Sequence, residues 1–253
     1  MASLILARWR QGHRTTRFPR TAAELPERFR GRPALDASRC VDGCRACADA
    51  CPTQAVQLEP LRLDLGRCVF CPVCVEACPS GALTYTTDHR LAATERAGLV
   101  LGDAAASAAP RVAALDAAMR RIFGRSLRLR QVSAGGCNGC EAELVALGNV
   151  VFDLARFGVQ FVASPRHADG IVVTGPVTGN MELALRKTYD AVPEPKLVIA
   201  VGACAISGGP FAGSAATHDG VPADIPVDLY VPGCPPHPLT IIDGLLRLLG
   251  RLE

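Results

Sequence analysis

Residues 68–79 read CVFCPVCVEACP, and this stretch decides the fold of the N-terminal half of the chain. Its four thiols follow the spacing C-x2-C-x2-C-x3-C, and a proline closes the run. That spacing is typical of loops around a [4Fe–4S] cluster, because closely spaced thiolates reach one cluster while free backbone N–H groups point at its sulfides. The stretch therefore predicts an iron–sulfur loop.

A second run of thiols lies upstream, where residues 40–52 read CVDGCRACADACP. It has one extra residue between its first two cysteines, and Asp42-Gly43 can form a turn that absorbs this residue. Cys40 is therefore still expected to bind iron. In two-cluster ferredoxins the fourth cysteine of each run binds the other cluster. On that rule one cluster is held by Cys40, Cys44, Cys47 and Cys78, and a second by Cys68, Cys71, Cys74 and Cys51.

A pair of zinc sites is the alternative for these runs, because C-x2-C pairs also occur in zinc ribbons and fingers. Zinc needs only two such pairs, whereas this chain has two successive four-cysteine runs. Each run is closed by proline and followed by a small-residue turn, at 53–55 and 80–82. The repeated pattern favours the two-cluster interpretation.

The whole chain has 253 residues, of which 12 are cysteine and 49% are hydrophobic. A chain of this length buries an ample apolar core without disulfides, and its composition excludes a disordered or collagen-like protein. The N-terminus shows no secretory signal pattern, and the sequence has no run of about 18 apolar residues that would predict a spanning helix. The cysteines are therefore expected to serve metal chemistry in a reducing compartment.

Four further cysteines are scattered through an α/β pattern that begins near residue 110. Strands predicted at 127–132, 159–163, 171–174, 197–201 and 227–231 alternate with helices predicted near 141–152, 181–191 and 238–249. This alternation predicts a doubly wound parallel sheet. Each remaining cysteine follows a strand, and open α/β sheets bind ligands beyond the carboxyl ends of their strands. A third [4Fe–4S] site is predicted from Cys137, Cys140, Cys204 and Cys234, with ordinary buried cysteines as the alternative.

Five short motifs carry a family resemblance: GCNGCE at 136–141, SPRHAD at 164–169, TGPVT at 174–178, GAC at 202–204 and VPGCPP at 231–236. They resemble the small subunit of group 4 membrane-bound [NiFe] hydrogenases, as in formate hydrogenlyase, and the related 20 kDa subunit of complex I. The resemblance covers about residues 126–250 and implies a flavodoxin-like fold with a cluster on the four cysteines. The first half resembles the two-cluster ferredoxin subunit that accompanies these enzymes.

Two details separate the relatives. The complex I subunit carries adjacent cysteines at its first ligand position, whereas Cys137 and Cys140 have the C-x2-C spacing of the hydrogenase form. Small subunits of periplasmic uptake hydrogenases add an export signal and a further cluster domain, and neither is expected here. The resemblance therefore favours a group 4 hydrogenase.

We divide the chain into four parts. Residues 1–35 are a basic amphipathic segment, 36–88 an α+β two-[4Fe–4S] ferredoxin-like domain, 89–125 a helical linker and 126–253 the small-subunit-like α/β domain. The linker prediction rests on an Ala-rich stretch from residue 90 to 110. Nine arginines against three acidic residues give residues 1–39 a net charge of +6, and Leu4, Ile5 and Trp9 predict a short helix suited to an anionic membrane surface or a membrane subunit. A disordered basic tail is the alternative.

These observations predict an electron-transfer subunit with three [4Fe–4S] clusters and no catalytic residue of its own. The resemblance implies electron transfer between a ferredoxin or a formate dehydrogenase module and a [NiFe] hydrogenase-type large subunit, for proton reduction or hydrogen oxidation. Membrane-arm subunits would hold the chain at the cytoplasmic face of the inner membrane. The alternatives are a complex I-like quinone oxidoreductase without nickel and a redox-sensing cluster-binding module. Nucleic-acid binding is not expected, because no basic stripe interleaved with aromatic residues follows the first segment.

Overall fold

The computed structural model describes residues 2–22, 25–102, 110–124 and 126–252. Short helices and strands make up its N-terminal part. They are α1 (Ala2–Gln11), β1 (Pro33–Leu35), α2 (Ala46–Asp49), β2 (Val56–Leu58), β3 (Leu61–Asp64), α3 (Val73–Ala77), β4 (Leu83–Tyr85), β5 (Val100–Leu101) and α4 (Ala117–Phe123). β1 pairs antiparallel with β4, and β3 lies between β2 and β5 in a second antiparallel sheet. This mixture confirms the predicted α+β class.

One small core holds both cysteine runs in place. α2 carries the buried Cys47, α3 carries the buried Cys74, and the two helices contact each other. Apolar side chains of the flanking strands, such as Leu35 and Leu63, are 1% exposed and belong to the same cluster as these thiols. The two runs are therefore oriented by shared packing as well as by their spacing.

A parallel sheet forms the C-terminal part. Its elements are β6 (Leu127–Ser133), α5 (Gly139–Ala146), β7 (Val159–Phe161), β8 (Gly170–Thr174), α6 (Gly179–Ala191), β9 (Leu197–Val201), α7 (Ala203–Ser207), β10 (Leu229–Val231) and α8 (Pro238–Leu248). The strand order is β7-β6-β8-β9-β10, and all neighbours pair in parallel. Counted within this sheet the order is 2-1-3-4-5, which is the flavodoxin-like arrangement. The predicted fold class is confirmed.

The sheet is covered on both faces, which is why its central strands are apolar throughout. Every residue of β8 and β9 is buried. Along β9, Ile199 packs in one core cluster together with residues of α5 and α8, whereas its neighbour Val198 packs in another cluster that contains Leu185 of α6. Alternate side chains of a strand point to opposite faces, so the two clusters are the two layers of a doubly wound sheet.

The predicted helix in the linker region is wrong for residues 90–102. Residues Arg96–Leu99 form a single 3-10 turn, and β5 then pairs with β3. Leu99 and Leu101 are almost completely buried in the N-terminal core. Their burial therefore outweighs the helix propensity of the neighbouring alanines. Residues 103–109 of the predicted linker lie outside the described residues, and the linker's boundaries stay a prediction.

The N-terminal segment begins as the predicted helix and then crosses to the C-terminal part. α1 exposes Leu4, Ile5 and Trp9. Beyond it, the Thr16 N–H donates to the Val151 carbonyl at 2.8 Å, and Phe18 is buried in a core cluster of the α/β sheet. This crossing was not predicted from the sequence. Among the described residues, no helix has the length and apolar character needed to cross a membrane.

Candidate iron–sulfur sites

One small cavity is bordered by three thiols of the upstream run and the last thiol of the downstream run. These are Cys40, Cys44, Cys47 and Cys78, with the apolar side chains of Leu61 and Leu83 beside them. Burial, followed by the nearby Cys78 thiol, raises the pKa of Cys47. The chain thus folds so that the four thiols of the first predicted set, including Cys40 at its offset spacing, face one space.

The second predicted set has two buried thiols where the first has one. Burial raises the pKa of Cys68 to about 12, and the nearby Cys74, Cys51 and Cys71 add to the increase. Burial likewise raises the pKa of Cys74 to about 11, with contributions from Cys51 and Cys71. Thiols affect one another in this way only at short range. Cys51 of the upstream run also packs against the core cluster that contains Cys68 and Cys74.

The two runs repeat one hydrogen-bond pattern around their last cysteine. The backbone N–H four residues later donates to the sulfur, from Ala55 to Cys51 at 3.2 Å and from Ala82 to Cys78 at 3.3 Å. A hydroxyl two residues later also lies near each sulfur. For Cys78, burial is the largest influence and acts to raise the pKa, but the Ser80 and backbone hydrogen bonds together lower it. These donors favour the thiolate form.

The third predicted set assembles at the carboxyl ends of three parallel strands. Cys137 and Cys140 follow β6, Cys204 lies on α7 after β9, and Cys234 follows β10. Burial raises the pKa of Cys140 to about 12, and Cys204, Glu141, Cys234 and Cys137 add to the increase in that order. Burial, then Cys234 and Cys137, raises the pKa of Cys204 to about 11. Four thiols that are distant in sequence therefore converge at one edge of the sheet.

Two glycines allow the backbone to approach this third set. A Cβ atom at Gly202 would stand 2.5 Å from the Cys140 sulfur, and one at Gly209 would stand 3.0 Å from the Cys204 sulfur. Gly202 also has a φ of 91°, a conformation that residues with a side chain rarely adopt. The backbone at these two glycines therefore lies so close to the sulfurs that a side chain there would collide with them.

Comparison with known proteins follows the same division of the chain. The family described as NADH ubiquinone oxidoreductase, 20 Kd subunit matches residues 137–248, and the 4Fe-4S dicluster domain matches residues 39–82. The probable membrane-bound hydrogenase subunit mbhJ of Pyrococcus furiosus is 44% identical over 132 residues, which are 52% of this chain and 79% of that relative. The chain belongs to the NADH ubiquinone oxidoreductase 20 kDa subunit family.

Other relatives come from both branches of this family. A subunit of the NADH-quinone oxidoreductase of Heliobacterium modesticaldum is 47% identical over 121 residues, covering 47% of this chain and 69% of the relative. Formate hydrogenlyase subunit 7 of Escherichia coli is 41% identical over 142 residues, covering 56% of each chain. This 20 kDa-type chain, with its dicluster domain, is an iron–sulfur electron-transfer subunit of the hydrogenase or complex I-like class.

A buried carboxylate lies beside the third set of this 20 kDa-type subunit. Glu141 is 7% exposed and accepts two hydrogen bonds on one oxygen, from the Ser133 hydroxyl at 2.6 Å and the Thr174 hydroxyl at 2.7 Å. Burial acts to raise the pKa of Glu141, but these hydrogen bonds outweigh it and lower the pKa. The charged form is therefore held in place next to Cys140. The sequence shows its position after a cysteine, but not its two partners, which come from β6 and β8.

The chemistry of the three sets fits iron–sulfur clusters, because each set offers four thiols and thiolates are the usual ligands of [4Fe–4S] clusters. Within the described ranges, no three His, Cys, Asp or Glu side chains are placed to hold a single metal ion. A [4Fe–4S] cluster instead binds each thiolate through a different iron atom, so its thiolates need not meet at one point.

The second set lies beside the first, because the helices α2 and α3, which carry Cys47 and Cys74, contact each other. Cys47 of the first set contributes to the raised pKa of Cys74 in the second. Phe70, which precedes Cys71 of the second set, borders the same cavity as Cys234 of the third. The second set therefore borders both of the others.

Proposed function

We propose that this chain is the iron–sulfur relay subunit of a membrane-associated [NiFe] hydrogenase complex of the formate hydrogenlyase type. In this proposal the chain holds three [4Fe–4S] clusters, on Cys40, Cys44, Cys47 and Cys78, on Cys68, Cys71, Cys74 and Cys51, and on Cys137, Cys140, Cys204 and Cys234. The observation that carries the proposal is that the second set borders the first and the third, through the contact of α2 with α3 and through the cavity shared by Phe70 and Cys234. That arrangement supports one continuous electron route from the ferredoxin-like part to the edge of the α/β sheet.

A bound [4Fe–4S] cluster supplies reversible one-electron transfer. The residues of this chain fix the ligand positions, exclude water and place donors beside the sulfurs. Backbone N–H groups of Ala55, Phe70 and Ala82 point at ligand sulfurs and stabilise negative charge there. Cys137 and Cys234 are exposed, whereas Cys68 and Cys74 of the second set are buried. Their exposure supports the docking of a partner subunit against the third set.

The proposed partner at this edge is a [NiFe] hydrogenase-type large subunit. The C-x2-C spacing of Cys137 and Cys140 supports the hydrogenase form, and two relatives are named as subunits of a membrane-bound hydrogenase and of formate hydrogenlyase. The proposed complex also contains membrane-arm subunits. Its electron donor or acceptor is a ferredoxin or a formate dehydrogenase module. The exposed apolar side chains and arginines of α1 support a peripheral position on the cytoplasmic face of the inner membrane.

A complex I-like quinone oxidoreductase is the second candidate. Its support is the 47% identity to a subunit of NADH-quinone oxidoreductase. The two candidates differ in the partner, because only a large subunit with two C-x2-C pairs would offer thiolates for nickel. Nickel content therefore separates them.

The test is to purify the intact complex through this chain and to measure nickel together with hydrogen evolution from reduced viologen. Bound nickel with hydrogen evolution is expected. A nickel-free complex that reduces quinone would replace the hydrogenase proposal with the second candidate. The chain itself should carry about twelve iron atoms and as many sulfides, at four of each per cluster. A zinc-loaded preparation without sulfide would refute both candidates.

A further inference from the structure

A direct contact joins the ligand loop of the second set to the ligand helix of the third. Gly66 lies two residues before Cys68, and Ser207 lies three residues after Cys204. The Ser207 hydroxyl donates a hydrogen bond to the Gly66 carbonyl at 2.8 Å, while the Ala203 carbonyl of its own helix is 3.2 Å away. The two predicted cluster sites are therefore fastened together through positions close to a ligand of each.

The space around Gly66 is filled by neighbouring side chains. Gly66 is buried, and a Cβ atom there would stand 2.8 Å from a methyl carbon of Ile206 on α7 and 2.7 Å from the guanidinium carbon of Arg96. The φ of Gly66 is not in the positive range, so close approach is what requires glycine here. A methyl group at this position would therefore displace the Arg96 guanidinium, the Ile206 side chain or the loop itself.

Charged groups hold the loop from its other side. Both oxygens of Asp64 accept hydrogen bonds from Arg96, at 2.8 and 2.6 Å, and one of them also accepts the Gly66 N–H at 2.8 Å. Such a paired arrangement fixes direction as well as distance. Ala93, which lies shortly before Arg96 in the sequence, exchanges two backbone hydrogen bonds with Tyr230, at 2.9 and 3.0 Å. Tyr230 lies just before the loop that carries Cys234. Gly66 is thus held by Ser207 of α7 on one side and by Asp64 on the other, while Ala93 joins a separate segment of the N-terminal part to β10.

Between the ligand loops themselves lies a cavity rather than packed side chains. Its volume is about 250 Å³, and it is bordered by Val69 and Phe70 on one side and by residues 232–237 on the other. Because these loops leave open space between them, their separation depends on the clamped contacts beside the cavity. The Gly66–Ser207 contact is the one closest in sequence to Cys68 and Cys204.

We propose that Gly66 and Ser207 are positioning residues that set the separation of the second and third clusters. The inference rests on the proposed function, since it takes both clusters as bound. Electron tunnelling falls off exponentially with distance, so a small displacement at this contact slows electron transfer even when every cluster is assembled. The two residues act through the loop and helix that they join, and they touch no cluster sulfur themselves.

The test compares Gly66→Ala with Gly98→Ala in the full chain with reconstituted clusters. Gly98 is exposed, and a Cβ atom there would meet only the Ala93 Cβ at 3.4 Å, an ordinary contact, so this variant is the matched control. The readouts are iron content, the magnetic coupling between the reduced clusters, and the rate of reoxidation after rapid reduction. Gly66→Ala is expected to keep its iron, to weaken the coupling and to slow intercluster transfer several-fold, while Gly98→Ala behaves as the wild type.

Ser207 supplies an independent pair of variants should Gly66→Ala fail to fold. Ser207→Ala is expected to weaken the coupling, and Ser207→Thr, which keeps the hydroxyl, is expected to restore it. Unchanged coupling in every correctly assembled variant would overturn the positioning role. Failure of the three-cluster proposal has a different signature, because the wild-type chain itself would then lack the iron of a second or third cluster. A nickel-free partner would replace the hydrogenase assignment and leave these readouts unchanged.

Discussion

The two halves of this chain present thiols in different ways. In the ferredoxin-like half, eight cysteines lie within residues 40–78, and short turns bring most of each set together. In the α/β half, four cysteines are spread over residues 137–234 and meet only because β6, β9 and β10 end at the same edge. The first kind of site depends on local spacing and the second on sheet topology. Thiol sites of the same chemistry can therefore be disrupted in two ways, by a change in local spacing or by a change in the sheet.

The largest effect is expected from removing a ligand of the α/β half. Cys204→Ser should cost one cluster, about four of twelve iron atoms, and all hydrogen chemistry that the complex performs. The ferredoxin-like half should keep its iron, because its thiols and the buried residues of its core lie before residue 102, although Ile206 and Tyr230 pack against that core. Iron analysis and electron paramagnetic resonance of the purified chain check this. A variant that loses all its iron would show that the two halves assemble as one unit.

Crossed ligation within the ferredoxin-like half gives the next largest effect. If Cys40 and Cys78 serve the same cluster, the double variant Cys40→Ser/Cys78→Ser should lose no more iron than either single variant, about four atoms. The double variant Cys68→Ser/Cys78→Ser should lose about eight, since it removes a ligand from each cluster. Iron and sulfide determinations on both doubles decide the pattern. The reverse result would mean that each run holds its own cluster.

A smaller effect is expected from narrowing the third site without removing a ligand. Gly202→Ala places a Cβ 2.5 Å from the Cys140 sulfur at a φ of 91°. The strained backbone should cost about 1–3 kcal/mol of stability and loosen the third cluster only. The readouts are denaturant unfolding and the rate of cluster loss to a chelator. Gly179→Ala is the control, because its nearest neighbour is a carbonyl oxygen 4.0 Å away, and equal effects in both variants would contradict the close-approach argument.

The last effect is confined to the cluster-free chain at alkaline pH and should be alike in both halves. In the cluster-free chain, burial raises the pKa of Cys68 and of Cys140 from 9.0 to about 12. The unfolded chain then gives up these protons first, so the stability from the buried neutral thiols is full below pH 9 and is lost as pH rises from 9 towards 12. Thermal unfolding of the cluster-free chain across this range measures the loss.

Single substitutions show how much of the stability lost at alkaline pH comes from each half. Cys68→Ala and Cys140→Ala should each reduce the loss of stability of the cluster-free chain as the pH rises. The cluster-loaded chain should show little of it, because iron-bound sulfurs carry no proton to release. A cluster-free chain that is equally stable at pH 8 and pH 11 would contradict the burial of these thiols in neutral form.

Some structural features of this protein could be predicted from the sequence because they depend on residues that are neighbours in the chain. The thiol spacing around Cys71 and Cys74, the helix at α1 and the strands of the parallel sheet were predicted from local pattern. The convergence of Cys137, Cys204 and Cys234 was also predictable, because parallel strands share one carboxyl edge. The helix proposed for residues 90–102 was wrong, since Leu99 and Leu101 gain more from burial in a distant core than the segment gains from helix propensity.

The sequence by itself determined the chemistry of the chain: thiols in sets of four, two sets in local runs and one after strands. Only the tertiary structure decided how those sets are joined. The hydrogen bonds that hold Glu141, the passage of Thr16 and Phe18 onto the α/β part, and the contact of Gly66 with Ser207 all link residues from different elements. Such contacts leave no periodic or spacing signal, because they join elements that are distant in the sequence. Sequence pattern can therefore indicate which thiols are candidate iron ligands, whereas packing across the chain decides how far apart the candidate sites lie.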